Sequence, residues 1–333
     1  MAIHHIDTTD WTPEQWTMYR YKGIGASEMG TLLGINEFQC SLQLFHLKIG
    51  RYPSKRRNRR MNIGVLSESV IADMWEYFDH DDDKFNLNME MGRKVRSCQN
   101  VNSFIHNDDF PYLFVSLDRV FSDPRFKTLC SLELKNKTYA SYHKYSNGIN
   151  PSEVIQLSMQ LLIPKHEYGE IAYLIDNMDM KVLPLTYDYA KKSKNAIVNV
   201  SGKFWENVLQ ARKYINQIEN AKLNFNQRLV EELEMEILKL EPEPERNEVY
   251  LEYLTDLERE KRETVPIKAD EALIKKANDM RRNQLKRAKL DEAITEAKAY
   301  MAELMHKEQK FEIDFGKLGK VKMYNGRFIT KLK

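Results

Sequence analysis

Cysteine is scarce in this 333-residue chain. Its three cysteines, Cys40, Cys98 and Cys130, are odd in number and far apart, so they supply neither a disulfide framework nor a CxxC zinc site. An iron–sulfur cluster held by four thiolates is excluded on count alone. Long apolar runs are missing too, since no stretch approaches the roughly eighteen residues that a membrane helix needs. The N-terminal Met1-Ala2-Ile3-His4-His5 has no basic segment leading into an apolar one, and a soluble protein of the reducing cytoplasm is expected. Net charge is nearly absent. A balance of +2 neither announces nor excludes nucleic acid, because local fields decide such contacts.

What is present is a set of charged residues at the ends of apolar segments. Asp118 closes the segment that starts at Tyr112, and Glu133-Leu134-Lys135 follows Thr128-Leu129-Cys130-Ser131-Leu132. If these are adjacent strands, the period of two puts Glu133 and Lys135 on one face and turns Leu134 into the core. Two carboxylates and an ammonium then converge. Like charges a few ångströms apart raise each other's pKa, and a divalent metal resolves the conflict. Carboxylate oxygens suit Mg²⁺ or Mn²⁺, which polarise phosphoryl oxygens and acidify bound water. That is the chemistry of phosphodiester hydrolysis.

Residues 1–215 alternate helical periods with short β-rich runs such as Ile171 to Ile175, an α/β pattern. Beyond them strand signals vanish, and residues 216–333 are expected to form a second, mostly helical region. It contains an acidic helix over Leu229 to Leu240, a break at Glu241-Pro242-Glu243-Pro244-Glu245, and a long helix from about Ala269 to Lys310. In that helix Leu290, Ile294, Ala297, Met301 and Leu304 form a short heptad seam. The tail, with Gly316, Gly319 and Gly326, reads as a small β-meander or hairpin. Self-association, partner docking or DNA contact could use this region, and solvated helical faces are the plainer reading.

Two further clusters point to phosphate. Arg20 precedes Gly23-Ile24-Gly25-Ala26-Ser27-Glu28, which places Ser27 as the N-cap of a helix reaching Leu33, with outward N–H groups that favour an anion. An ordinary capped helix is the alternative. The basic run Lys55-Arg56-Arg57-Asn58-Arg59-Arg60 is able to track a phosphate backbone, or to be a solvated loop. Tyr139, Tyr142, His143 and Tyr145 offer either a stacking wall for bases or simple packing. Trp75 and Trp205 fit the core of amphipathic helices, and the histidines show no zinc spacing.

Arg20-x-x-Gly23-Ile24-Gly25-Ala26-Ser27-Glu28, Gly64-x-x-x-Glu68, Ser116-Leu117-Asp118, Glu133-Leu134-Lys135 and Gln156-Leu157-Ser158-Met159 occur in that order within residues 10–210. In this order and spacing they resemble the YqaJ-type viral recombinases, the lambda-exonuclease family of PD-(D/E)XK nucleases. The resemblance implies a restriction-endonuclease-like α/β core, a central mixed sheet flanked by helices. It implies a Mg²⁺-dependent 5′→3′ exonuclease, with Mn²⁺ able to substitute and two metals in the site. The substrate would be linear double-stranded DNA with 5′-phosphorylated ends, left with 3′ single-stranded overhangs. A ring-shaped trimer or tetramer, a single-strand annealing partner and a phage or prophage origin in a bacterial host are implied as well.

By the same resemblance Asp118 and Glu133 are the main metal ligands, joined by the Leu134 carbonyl and by Glu68 from a helix. Lys135 lies beside the attacking water, Gln156 orients water or phosphate, and Arg20 with Ser27 holds the 5′-phosphate. Gln160, one turn from Gln156, competes for its role. The chain departs from the family in having Arg119, a possible DNA contact, where glycine usually follows the aspartate, and in lacking an aromatic before Gln156. An endonuclease on duplex or branched DNA, or a non-catalytic DNA-end-binding protein on a nuclease fold, is the alternative function.

Overall fold

The run Tyr168 to Ile175 is buried at every position, as a strand covered on both faces must be. It stands at the centre of the first of two compact units, Met1–Glu260 and Lys261–Lys333, in a computed structural model. Residues 2–53, 58–79, 82–145, 148–245, 247–258, 271–307, 312–314, 319–324 and 327–332 are described. The chain begins β1 (Ile3–Asp7), α1 (Pro13–Arg20), β2 (Ile24–Gly25), a 3₁₀ turn (Ala26–Glu28), α2 (Met29–Leu32), α3 (Ser41–Lys48), α4 (Arg59–Tyr77) and α5 (Asp82–Glu90). It continues β3 (Cys98–Asn100), β4 (Ser103–Asn107), β5 (Leu113–Ser116), β6 (Arg119–Phe121), β7 (Cys130–Lys137), α6 (Tyr139–His143) and α7 (Pro151–Leu162). Then come β8 (Tyr168–Ile175), β9 (Asp179–Thr186), α8 (Tyr187–Leu223), α9 (Gln227–Leu240) and α10 (Glu248–Glu258).

The unit is mixed α/β, with mixed sheets flanked by helices. Its strands form two sheets rather than one, ordered β1-β4-β5-β2 and β3-β6-β7-β8-β9. Among the described residues only β2 with β5 and β7 with β8 run parallel in this unit; the other pairs are antiparallel. The chain passes from one sheet to the other at Leu117 and Asp118, between β5 and β6. Asp118 therefore sits where the two sheets meet.

Alternation along β7 and β8 builds two cores. Leu132, Leu134, Ala172 and Leu174 face α4 and pack with Trp75 and Phe121. Ile171, Tyr173 and Ile175 face the other way and join Leu157 and Leu161 of α7 and Trp205 and Val208 of α8. The helix α7 approaches the sheet closely because β8 carries Gly169: a Cβ there would lie 2.9 Å from the Ser131 carbonyl oxygen and 3.0 Å from Leu157 and Leu161 methyls. On the opposite face Glu170 accepts from Trp75 Nε1 at 2.7 Å, Arg96 Nη1 at 3.0 Å and Tyr168 Oη at 3.0 Å. These bonds fasten α4 to the sheet.

The boundary expected at residue 215 falls inside α8, whose buried face continues through Ile218 to Ala221. Val230, Leu233 and Ile237 of α9 belong to the same core, and α10 packs on Cys40 and Leu42 beside α3 through Tyr253. Loss of strand signals marks a change of secondary structure there, not the end of a core. The second unit contains α11 (Glu271–Lys307) and the antiparallel strands β10 (Glu312–Asp314), β11 (Gly319–Tyr324) and β12 (Arg327–Leu332). Leu290 and Ile294 of the heptad seam are exposed; Gly316 and Gly326 lie outside the described residues. Among the described residues no helix is long and apolar enough to cross a membrane.

The α7–β8 loop is fixed by His166. Ser131 Oγ donates to the Gln160 carbonyl at 2.9 Å and lies 2.9 Å from His166 Nδ1, so the ring donates from Nδ1. Burial, with a contribution from His5, pushes the imidazole down to about 4. An unfolded histidine takes its proton near 6.5. Between these values the unfolded chain binds more protons, so this contribution to stability is lost as pH falls from about 6.5 to about 4. Denaturant unfolding at pH 7 and pH 4 is expected to show wild type losing about 3 kcal/mol more than His166→Asn, which lacks the titrating ring.

Candidate active site

One face of β7 is polar along its length, with Ser131, Glu133, Lys135 and Lys137 at alternate positions. Opposite it, α7 presents Glu153, Gln156 and Gln160, spaced by three and four, and these form one stripe of an otherwise apolar helix. The two rows interlock. Lys137 Nζ donates to Glu153, whose other oxygen accepts from Tyr173 Oη at 3.1 Å. Lys135 Nζ donates to Glu133 Oε1 and to Gln156 Oε1, the latter at 3.3 Å. Gln156 Nε2 donates to Glu133 Oε1 at 2.5 Å, and Gln160 Nε2 donates to Glu133 Oε2 at 2.5 Å. Glu133 is 2% exposed, so without these donors its charge would carry a desolvation cost of several kcal/mol.

Asp118 reaches the same place from the sheet junction. Its Oδ2 accepts the Leu134 N–H at 2.9 Å, which links the two acidic segments directly. Burial and then Glu133 push the Asp118 carboxyl well above the usual carboxylate range, with Glu68 adding to the effect and Lys135 opposing it. Lys135 behaves conversely. Burial would lower its pKa, but Glu133, Asp118 and Glu153 outweigh burial and raise it, so the ammonium keeps its proton. Arg119 Nη1 donates back to the Asp118 carbonyl at 2.7 Å. Among the described non-glycine residues, those with positive φ are Lys165, Asp176, Asn177 and Phe225, so the bend at Asp118 needs no glycine after it.

Glu68 lies on α4, which is tied to β7 by Asn136 Nδ2 donating to Ser67 Oγ at 2.9 Å. No group of three or more His, Cys, Asp or Glu side chains that could hold a metal ion is found among the described residues. The donor set is the carboxylate pair Asp118 and Glu133, hard oxygen ligands, and burial followed by Glu133 raises the pKa of Asp118. That chemistry fits a divalent cation. Arg59 and Arg60 are exposed at the start of α4; Lys55, Arg56 and Arg57 lie outside the described residues. Tyr142 packs against Tyr173, whereas Tyr139 is exposed with its ring 4.1 Å from that of His143.

The N-terminal block differs from its expected form. Ser27 is not an N-cap: it lies inside the 3₁₀ turn, and the cap position is Gly25. The Gly25 N–H is taken by Glu28 Oε2 at 2.9 Å. Arg20 and Ser27 do meet, with Nη2 donating to Oγ at 3.2 Å, but Arg20 also pairs with Glu28 at 3.0 Å. The buried Lys48 binds Glu28 at 2.8 Å and the Arg20 carbonyl at 2.7 Å. Burial opposes ionisation of Glu28, and Lys48 and Arg20 outweigh it, holding the carboxyl below its ordinary range. A carboxylate inside the turn gathers Arg20, which the sequence left for an external anion, together with Lys48.

Residues 15–167 match the YqaJ-like viral recombinase domain family. Over 164 residues the chain is 21% identical to the uncharacterized protein YqaJ of Bacillus subtilis (strain 168), covering 49% of this chain and 46% of that protein. It thus spans about half the length of that curated relative. Among solved structures it is similar to an alkaline exonuclease, LHK-Exo, from Laribacter hongkongensis, at 14% identity and a TM-score of 0.46 over 63% of this chain and 99% of that one. LHK-Exo in complex with dAMP is similar at 13% identity and the same TM-score of 0.46, with 63% and 99% covered.

The matched stretch contains Arg20, Ser27, Glu68, Asp118, Glu133, Lys135, Gln156 and Gln160. Sequence reading missed Glu153, Lys48 and Glu28 as members of buried polar networks. The spacing of Glu153, Gln156 and Gln160 was the available signal for the first. Lys48, at the end of α3, carried none. Lys48→Met is expected to cost about 3 kcal/mol in denaturant unfolding, because it leaves Glu28 buried with less compensation. The double variant Glu28→Gln/Lys48→Met should recover much of that loss.

Proposed function

We propose that the chain is a metal-dependent 5′→3′ exonuclease that degrades linear double-stranded DNA from 5′-phosphorylated ends and leaves 3′ single-stranded overhangs for recombination. The observation that carries this reading is the meeting of Asp118, Glu133 and a protonated Lys135 at the junction of the two sheets, inside the stretch that matches the recombinase family. Asp118, Glu133 and the Leu134 carbonyl would hold Mg²⁺ or Mn²⁺, with Glu68 nearby on α4. A divalent ion bound there supplies neutralisation of phosphoryl charge and a more acidic water.

The chain's own groups define the rest of the chemistry. Lys135 keeps its proton, so it serves as a donor that positions the attacking water or a phosphate oxygen rather than as a base. Gln156 braces both Lys135 and Glu133. Arg20 and Ser27 would take the 5′-phosphate, with Arg20 shared between Glu28 and the ligand. Arg59, Arg60 and Arg119 supply cationic groups for the duplex backbone. The resemblance to lambda-type exonucleases adds a ring-shaped oligomer, an annealing-protein partner and action in the cytoplasm of a bacterial host. The C-terminal region is proposed as the place where partners or subunits dock.

The test is digestion with Mg²⁺ of linear duplex bearing 5′-phosphate or 5′-hydroxyl ends, beside covalently closed circles. Linear 5′-phosphorylated DNA should be degraded and circles spared, with Glu133→Ala slower by about 10³-fold or more, about 4 kcal/mol of barrier. Cut circles would indicate an endonuclease, and binding without cleavage a DNA-end-binding protein. Arg20→Ala should lose roughly tenfold or more in preference for the 5′-phosphate while still degrading 5′-hydroxyl ends.

A further inference from the structure

Glu133 has two oxygens with unequal surroundings. Oε1 accepts from both Gln156 Nε2 and Lys135 Nζ, while Oε2 accepts from Gln160 Nε2 alone among the described residues. A carboxylate oxygen has two lone pairs, so Oε1 is filled and Oε2 retains one. The fully buried Gln160 also donates to the Ser116 carbonyl at 3.3 Å, two residues before Asp118. Its amide therefore bridges the two segments that carry Asp118 and Glu133. The orientation is dictated by these contacts, because the opposite one would set Oε1 against a carboxylate and a carbonyl. That orientation leaves Gln160 Oε1 buried without a hydrogen-bond partner among the described residues. A fully buried amide with an unsatisfied oxygen is costly, and such a group calls for an explanation.

We infer that Gln160 is a positioning residue that presents Glu133 Oε2 to the divalent cation and fixes its separation from the Asp118 segment. The inference rests on the metal reading above. It separates Gln160 from Gln156, which acts on the oxygen already served by Lys135.

Titration calorimetry of the full chain with Mn²⁺ and no DNA tests it, using wild type, Gln160→Leu, Gln160→Met and Gln156→Leu, with thermal unfolding of each metal-free protein alongside. Methionine keeps the length of the side chain and covers the case in which leucine unfolds the protein. The expected result is a Mn²⁺ affinity weakened by roughly 10-fold to 100-fold in the Gln160 variants and by less than about threefold in Gln156→Leu. Gln160 variants that keep Mn²⁺ affinity while melting earlier would assign the residue to packing alone and overturn the inference. Equal losses at Gln156 and Gln160 would overturn it too. A wild-type protein that binds no Mn²⁺ would overturn the metal reading itself, and this inference with it.

Discussion

A carboxylate that is 2% exposed needs several donors, and in this chain the donors come from two elements that must lie in register. Glu133 is held by Lys135 from its own strand and by Gln156 and Gln160 from α7. The position of α7 follows from this requirement and from Gly169, which lets the helix settle onto β8. Asp118 is bound to the same strand through the Leu134 N–H. The site is thus a property of strand β7 and its partners rather than of a flexible loop, and rigid elements of this kind hold functional groups at fixed separations.

The polar interior has two very different faces. On the α4 side, Glu170 collects Trp75, Arg96 and Tyr168, so its oxygens are well supplied and the cluster acts as a fastening. At the junction of the sheets the balance is poorer: burial and Glu133 push Asp118 well above the usual carboxylate range. A fold selected for stability alone would replace such a pair by apolar side chains. Conflict between local stability and burial of like charge is expected where a fold carries chemistry. The Glu28, Lys48 and Arg20 network shows the opposite solution, two cations on one buried carboxylate.

Much of this was legible in the sequence because a strand repeats every two residues. That period alone put Glu133 and Lys135 together and Leu134 in the core, where it is 5% exposed. The order of motifs likewise anticipated a mixed α/β unit and the match of residues 15–167 to the YqaJ-like viral recombinase domain family. Other features depended on distant partners. Ser27 reads as a helix cap, but Glu28 captures the Gly25 N–H and the chain forms a 3₁₀ turn instead. The split into two sheets depends on crossings, at Val101 and Asn102 and again at Leu117 and Asp118, that no local pattern signals. The end of the first unit was misplaced at 215 because α8, α9 and α10 bury their apolar faces on elements far earlier in the chain.

The central claim is that the carboxylate pair Asp118 and Glu133 exists to bind a divalent cation. Anomalous X-ray scattering from crystals of the full chain soaked in Mn²⁺ tests it most directly. The account predicts a manganese peak within ligand distance of Asp118 and of Glu133 Oε2. Manganese bound only elsewhere, with the two carboxyl groups sharing a proton and no metal between them, would contradict it.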